Sequence, residues 1–180
     1  LFQIIPTQAL GHFKKMAVEE PSYEDGARLL AQAITSQGTI YAYTKNEGHL
    51  VLTLAEHSSD QSILQLKPIL SEQAIDQFSK CAPTDRLLIS VPWEDDPEAV
   101  HMCQLAQEHG LEVLTLASLS ESPSSSNGLS QRSDVFIPLH VQQGLFLDED
   151  GNRHLKPHSL AFIMAYHWLT LLTKEIINEQ

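Results

Sequence analysis

The sequence predicts an α/β fold, a three-layer domain with a parallel sheet between helices. Three observations predict it. Residues 85 to 118 spell a strand, a turn, a helix and a second strand, which is a parallel crossover unit. Strand-like and helix-like apolar segments alternate along most of the chain. The last helix, opened by Pro157, carries Leu160, Ala161, Phe162, Ile163, Met164, Trp168, Leu169, Leu171, Leu172 and Ile176 around most of its circumference, as in a helix buried on more than one side.

Taken in order, residues 2–19 read as a helix with Ile5, Leu10, Phe13, Met16 and Ala17 inward, closed by Pro21. A second helix follows, with Ser22 and Asp25 resembling a capping box, an apolar stripe of Ala27, Leu30, Ala31 and Ile34, and a stop at Gly38. Thr39 to Tyr43 is a β-branched and aromatic strand, followed by the polar turn Thr44-Lys45-Asn46-Glu47-Gly48 and a helix through His57. Ile63 to Leu66 reads as a short strand, and Ser71 as the cap of a helix over 72–81.

The crossover unit is next. Leu87, Leu88, Ile89 and Val91 form the nearly unbroken apolar run of a strand covered on both faces. Asp95 or Asp96 can cap the following helix, Pro97 suits its first turn, and Glu98 meets the positive end of its dipole. Val100, Cys103, Leu105 and Ala106 make its stripe, Gly110 stops it, and Val113, Leu114 and Leu116 restart the sheet. The turn between Val91 and Ala99 lies where open parallel sheets place their ligands. Ser118 to Ser133 has turn composition, Asp134 to Leu139 is the last main strand, and Leu145 to Leu155 forms a small hairpin.

Composition narrows the function. The chain has 180 residues, 42% hydrophobic and 19% charged, enough for one domain over 1–180. Its parts are the helix 2–19, a core over 22–139, the hairpin 144–155 and the terminal helix 157–177. Eleven Lys and Arg against 23 Asp and Glu give a formal net charge of -12, which repels nucleic acid and anionic membranes. Cys81 and Cys103 lack metal-ligand spacing and read as thiols in a reducing cytoplasm. The nine histidines show no HExxH or His-x-His pattern, so neither a metal nor another cofactor is expected. No signal peptide is read, Leu1 reads as a start trimmed of its initiator region, and the apolar stretch Leu160 to Leu172 is shorter than the roughly 20 residues of a membrane span.

Three segments carry a family resemblance. Gln37 to Thr44, Asp85 to Ala117, and Asn127 to Phe136 with Leu129 and Ser133-Asp134-Val135 look like the first strand, the central crossover and the serine loop of the sugar isomerase domain. With the terminal helix the likeness covers roughly 20–175, and it is nearest to a bacterial, phosphoheptose isomerase-like branch. The resemblance implies a five-stranded parallel sheet in a three-layer α/β/α sandwich, a phosphorylated sugar as ligand, and a crevice completed in a homodimer.

The departures matter as much. Where the family has a Gly-x-Gly-x-Ser turn, this chain has Tyr43 to Gly48, and where it has Ser-x-Ser-Gly-x-Thr, the matching positions are Val91, Trp93, Glu94 and Asp96. Glu94, Asp95 and Asp96 oppose a phosphate at that helix start. The first turn is the better anion candidate: Lys45 brings charge, Thr44 and Asn46 bring donors, and Gly48 frees backbone; the plain alternative is a solvated capping turn. Ser124, Ser125 and Ser126 offer hydroxyls to a sugar phosphate or are flexible linker.

For catalysis the resemblance implies a glutamate and a histidine near Glu56 and His158, although Lys156 stands where an acidic neighbour of the histidine is common. An aldose-ketose interchange needs both, one group to remove the carbon-bound proton and one to protonate oxygen. The plain alternatives are a surface carboxylate and a capping imidazole. Trp93 reads as a lid, a dimer anchor or a plug of the crevice. The main expectation is thus a cytoplasmic domain that binds a phosphosugar or related metabolite without efficient catalysis. The alternatives are an isomerase using Glu56 and His158, and a dimeric scaffold with an occluded pocket.

Overall fold

The central strand is β3 (Arg86–Trp93), flanked on one side by β1 (Ile40–Thr44) and β2 (Leu66–Pro68), and on the other by β4 (Glu112–Ser118) and β5 (Val135–Pro138). The computed structural model describes residues 3–57, 63–120 and 128–179. The order is β2-β1-β3-β4-β5 and every neighbouring pair is parallel, so all five carboxyl ends share one edge. This is the five-stranded sandwich expected from the sequence.

Alternation explains the unbroken apolar run in β3. Leu88 joins Ile40, Leu114 and Ile137 in a core on one face of the sheet, while Leu87, Ile89 and Val91 join Tyr41, Tyr43 and Val113 in a core on the other. The first core is closed by α2 (Glu20–Thr35), α3 (His49–His57) and α7 (His158–Asn178), the second by α4 (Ala74–Phe78) and α5 (Pro97–Glu108). Each fully buried Leu, Ile or Val contributes about 1.5–3 kcal/mol of hydrophobic stabilisation, so neither face can be left open to water. α7 is long and apolar enough to cross a membrane by length and composition, unlike the shorter stretch read from sequence. Its face of Ala161, Phe162, Ala165, Tyr166 and Leu169 is nonetheless buried in the first core, as in a core helix.

Several element boundaries differ from expectation. α1 (Ile4–Ala17) ends before Val18, and Pro21 lies in the first turn of α2. Pro21 therefore starts the second helix rather than closing the first, because its missing amide hydrogen costs nothing there. Ser22 falls inside α2, and no side chain caps that start. Within α1 only Met16 and His12 are buried, and Leu10 stays 55% exposed. β2 begins at Leu66, three residues later than read, and Pro68 is tolerated because the strand is an edge. Ser71 caps nothing: residues 71–73 form a 3-10 turn, and its hydroxyl donates to Glu98. α6 (Leu129–Arg132) is one turn within the expected long loop, and β6 (Phe146–Leu147) pairs antiparallel with β7 (Arg153–His154) as the expected hairpin.

Candidate functional site

At the carboxyl edge of the sheet, β1 and β3 end against the start of α7. Asn46, Glu47, Leu50, Pro92, Trp93, Lys156, His158 and Ser159 line a cavity of about 700 Å³ there. Asn46 has φ +52, a left-handed conformation that asparagine tolerates better than most residues. Gly48 follows it and lies so close to β3 that an added Cβ would fall 1.9 Å from the Ser90 carbonyl oxygen. That close approach, sealed by the Lys45 amide donating to the Ser90 carbonyl at 3.1 Å, fixes the turn that carries Asn46 and Glu47.

Trp93 forms a wall of this cavity, which remains open beside it. The Lys156 ammonium sits 4.6 Å from the Trp93 ring centroid, and the His158 ring meets Trp93 edge-on at 4.9 Å. His158 is 3% exposed, and its Nε2 is buried with no hydrogen-bond partner among the described residues. Burial holds the His158 imidazole below its ordinary value; the Glu47 charge and a hydrogen bond to the Pro92 carbonyl oppose that shift, while Lys156 adds to it. The site thus combines an amide, an aromatic wall, an ammonium, a carboxylate and a neutral imidazole.

The acidic turn after β3 is occupied by its own chemistry. Asp96 caps α5 by accepting from the Glu98 and Ala99 amides at 3.1 and 3.0 Å. The Glu94 carboxylate accepts from the Ser120 and Ser130 amides, tying those two residues to the end of β3. Lys45 neutralises the same region, with Nζ 2.8 Å from Asp96 and 3.3 Å from Glu98. The hydrogen bond to Asp96 raises the Lys45 pKa, and Ser71 followed by Lys45 lowers that of Glu98. Lys45→Ala is expected to leave thermal unfolding nearly unchanged, because partly solvated ion pairs contribute little. It should weaken anion binding at the neighbouring cavity at low salt and not at high salt, which a titration repeated across ionic strengths reads directly.

Of the residues singled out from sequence, Asn46, Trp93 and His158 come together in the cavity, and Thr44, Lys45 and Gly48 build the turn beside it. The Thr44 hydroxyl bonds the His49 ring at 2.7 Å. Glu56 does not line the cavity with His158: it stands on the last turn of α3 with its side chain 59% exposed. Ser124, Ser125 and Ser126 lie outside the described residues. Glu47 and Lys156 were not picked as site residues, and only the packing of α7 against the 46–48 turn brings them to one wall.

Two buried imidazoles couple the stability of the fold to pH on the acid side. His12 and His158 both titrate below the ordinary 6.5, in each case chiefly through burial. The unfolded chain therefore takes up protons first, so stability present above about pH 6.5 is lost as the pH falls toward the lowered folded values. The unfolding midpoint is expected to be flat from about pH 6.5 to about pH 8, where a buried thiol begins to cost stability, and to decline below about pH 6.5. A His12→Gln, His158→Gln double variant should show a shallower decline, and an equally steep one contradicts this origin.

Comparison with known proteins gives the same fold. A family model described as "Domain of unknown function (DUF2529)" matches residues 1–177. "Uncharacterized protein YwjG" of Bacillus subtilis (strain 168) is 31% identical over 181 residues, covering 99% of each chain. Among solved structures, a phosphoheptose isomerase from Francisella tularensis superposes with TM-score 0.65 at 12% identity over 93% of both chains. The Vibrio vulnificus NanR protein complexed with ManNAc-6P gives TM-score 0.63 at 16% identity, over 98% of this chain and 62% of that longer one. The sugar isomerase domain of an RpiR transcription factor from Sphaerobacter thermophilus gives 0.65 at 11%, over 99% and 96%.

Proposed function

The chain belongs to the DUF2529 family, and from that premise we propose that it binds a phosphorylated sugar, or a related small metabolite, without efficient catalysis. Its fold is that of the sugar isomerase domain. The observation that carries the proposal is the make-up of the cavity: Asn46, Trp93, Lys156 and His158 line it, and Glu56 does not. An aromatic wall suits the C–H face of a sugar, an amide suits its hydroxyls, and an ammonium suits its phosphoryl charge. The solved relative complexed with ManNAc-6P, a phosphosugar, supports the ligand class, and the sugar isomerase domain of the transcription factor supports a role other than catalysis.

Proton transfer between adjacent carbons needs a positioned base as well as an acid. Glu56 on its exposed turn does not face His158 across the cavity, and this carries the non-catalytic half of the reading. One observation favours a second reading, an isomerase: Glu47 lines the same cavity and its charge acts on His158. The two separate in one experiment. An aldopentose phosphate incubated with the protein in D2O keeps its C2 proton if the site only binds, and loses it in a Glu47-dependent or Glu56-dependent way if the site isomerises.

The proposal includes a cytoplasmic homodimer. Val18 at 76% and Leu171 at 60% exposure leave apolar surface beside the Ala17, Trp168 and Leu172 groove between α1 and α7, and a second copy covers it in this reading. Leu171→Glu is then expected to shift the sedimentation of the protein from dimer to monomer; unchanged sedimentation removes α7 from the interface.

A further inference from the structure

α1 and the segment leading from β5 into the β6–β7 hairpin enclose a second cavity of about 350 Å³, whose walls include Gln8, His12, Lys15, His140, Gln142 and Arg153. The formal net charge of the chain is -12, yet no Asp or Glu is among the described residues lining this cavity. Glu19, which is not in the lining, meets the His140 Nε2 at 2.8 Å. Lys15 and Arg153 form no ion pair among the described residues; Arg153 donates only to the Gly144 carbonyl, at 3.3 Å. The wall carrying Arg153 is held tightly, since a Cβ on Gly144 would fall 2.1 Å from the His154 carbonyl oxygen.

The second observation is the His12 imidazole in its wall. His12 is 8% exposed, and its Nε2 is buried with no hydrogen-bond partner among the described residues. Two cationic side chains and three glutamine amides, Gln8, Gln142 and Gln143, are the donor set of a site for a small hydroxylated anion.

We propose that this cavity is a second ligand site, taking a small phosphate monoester that bears hydroxyl groups. Lys15 and Arg153 meet the phosphoryl charge, Gln8 and Gln142 meet the hydroxyls, and the His12 ring stands in the wall as the reporter of occupancy. The site shares no lining residue with the cavity at Trp93 and does not rest on the function proposed for it.

Histidine side-chain nitrogen spectra of the full chain test the site, with glycerol 3-phosphate as the probe at low ionic strength and His12→Gln identifying the His12 signals. The His12 resonances are expected to shift saturably. A Lys15→Ala, Arg153→Ala variant, altered only at exposed side chains, should weaken that titration by about tenfold or more, as for loss of charged hydrogen bonds. His158→Gln should leave it within about twofold, below the size of one such bond. Static His12 resonances, or a shift retained in the double variant, overturn the proposal. A shift abolished by His158→Gln but kept in the double variant overturns it too, because the ligand then occupies the first cavity; acetate matching glycerol 3-phosphate in affinity would overturn the choice of a phosphate monoester.

Discussion

Gly48→Ala is expected to destabilise the protein by about 3 kcal/mol or more, a fall of roughly 6–12 °C in unfolding midpoint for a chain of this size. The added carbon would lie 1.9 Å from the Ser90 carbonyl oxygen and 2.6 Å from its carbonyl carbon, which are backbone atoms of the central strand. Neither side can yield cheaply: β3 is paired to β1 and β4 on both edges, and the Ser90 carbonyl already accepts the Lys45 amide. Because the same turn carries Asn46 and Glu47, residual folded protein should also lose ligand binding. Gly11→Ala is the control, since a Cβ there meets nothing within 4 Å in the middle of α1, and the same substitution should stabilise by about 0.5–1 kcal/mol. Thermal unfolding of the two variants reads the contrast, and a Gly48→Ala midpoint at the wild-type value would refute the close approach.

Trp93→Ala is expected to have the second large effect, on binding. The ring holds the Lys156 ammonium at 4.6 Å and the His158 ring at 4.9 Å, so its removal frees both polar groups as well as one wall. A cation–π contact contributes about 0.5–2 kcal/mol and an aromatic edge contact about 0.5–1.5, and loss of groups held at that level predicts affinity for a sugar phosphate weaker by roughly fivefold to several hundredfold. Trp93→Phe keeps an aromatic face and should recover part of that loss. The measurement is the rise in unfolding midpoint on adding a sugar phosphate; an undiminished rise in Trp93→Ala would place the ligand elsewhere.

The elements that were legible in the sequence are those fixed by local chemistry. The β3–α5–β4 unit follows from an apolar run, the Asp96-Pro97 start and Gly110, whose φ of +81 is the left-handed stop expected there. The α1–α2 junction was not legible because Pro21 serves equally to close one helix or open the next, and only packing decides. The acidic triplet was legible as carboxylates crowding a helix start, but its partners were not readable: Lys45 reaches Asp96 across 51 positions, and Glu94 holds the amides of the distant Ser120 and Ser130.

The site was half legible for the same reason. His158 and Trp93 stood out by residue type and by their places at strand and helix ends. Glu47 and Glu56 are two carboxylates flanking one short helix, and no periodicity says which one the left-handed Asn46 turns toward the cavity. His12 had no local signal at all, since its burial comes from the segments that fold over α1 from more than a hundred residues away.

Calorimetric titration of the full chain with pentose and hexose phosphates, beside a Lys156→Ala variant, goes most directly to the central claim. The account predicts saturable one-site binding to the wild type, at least about tenfold weaker in the variant, where one charged contact is lost. Titrations that give no heat with any sugar phosphate, or identical isotherms for the two proteins, would contradict it.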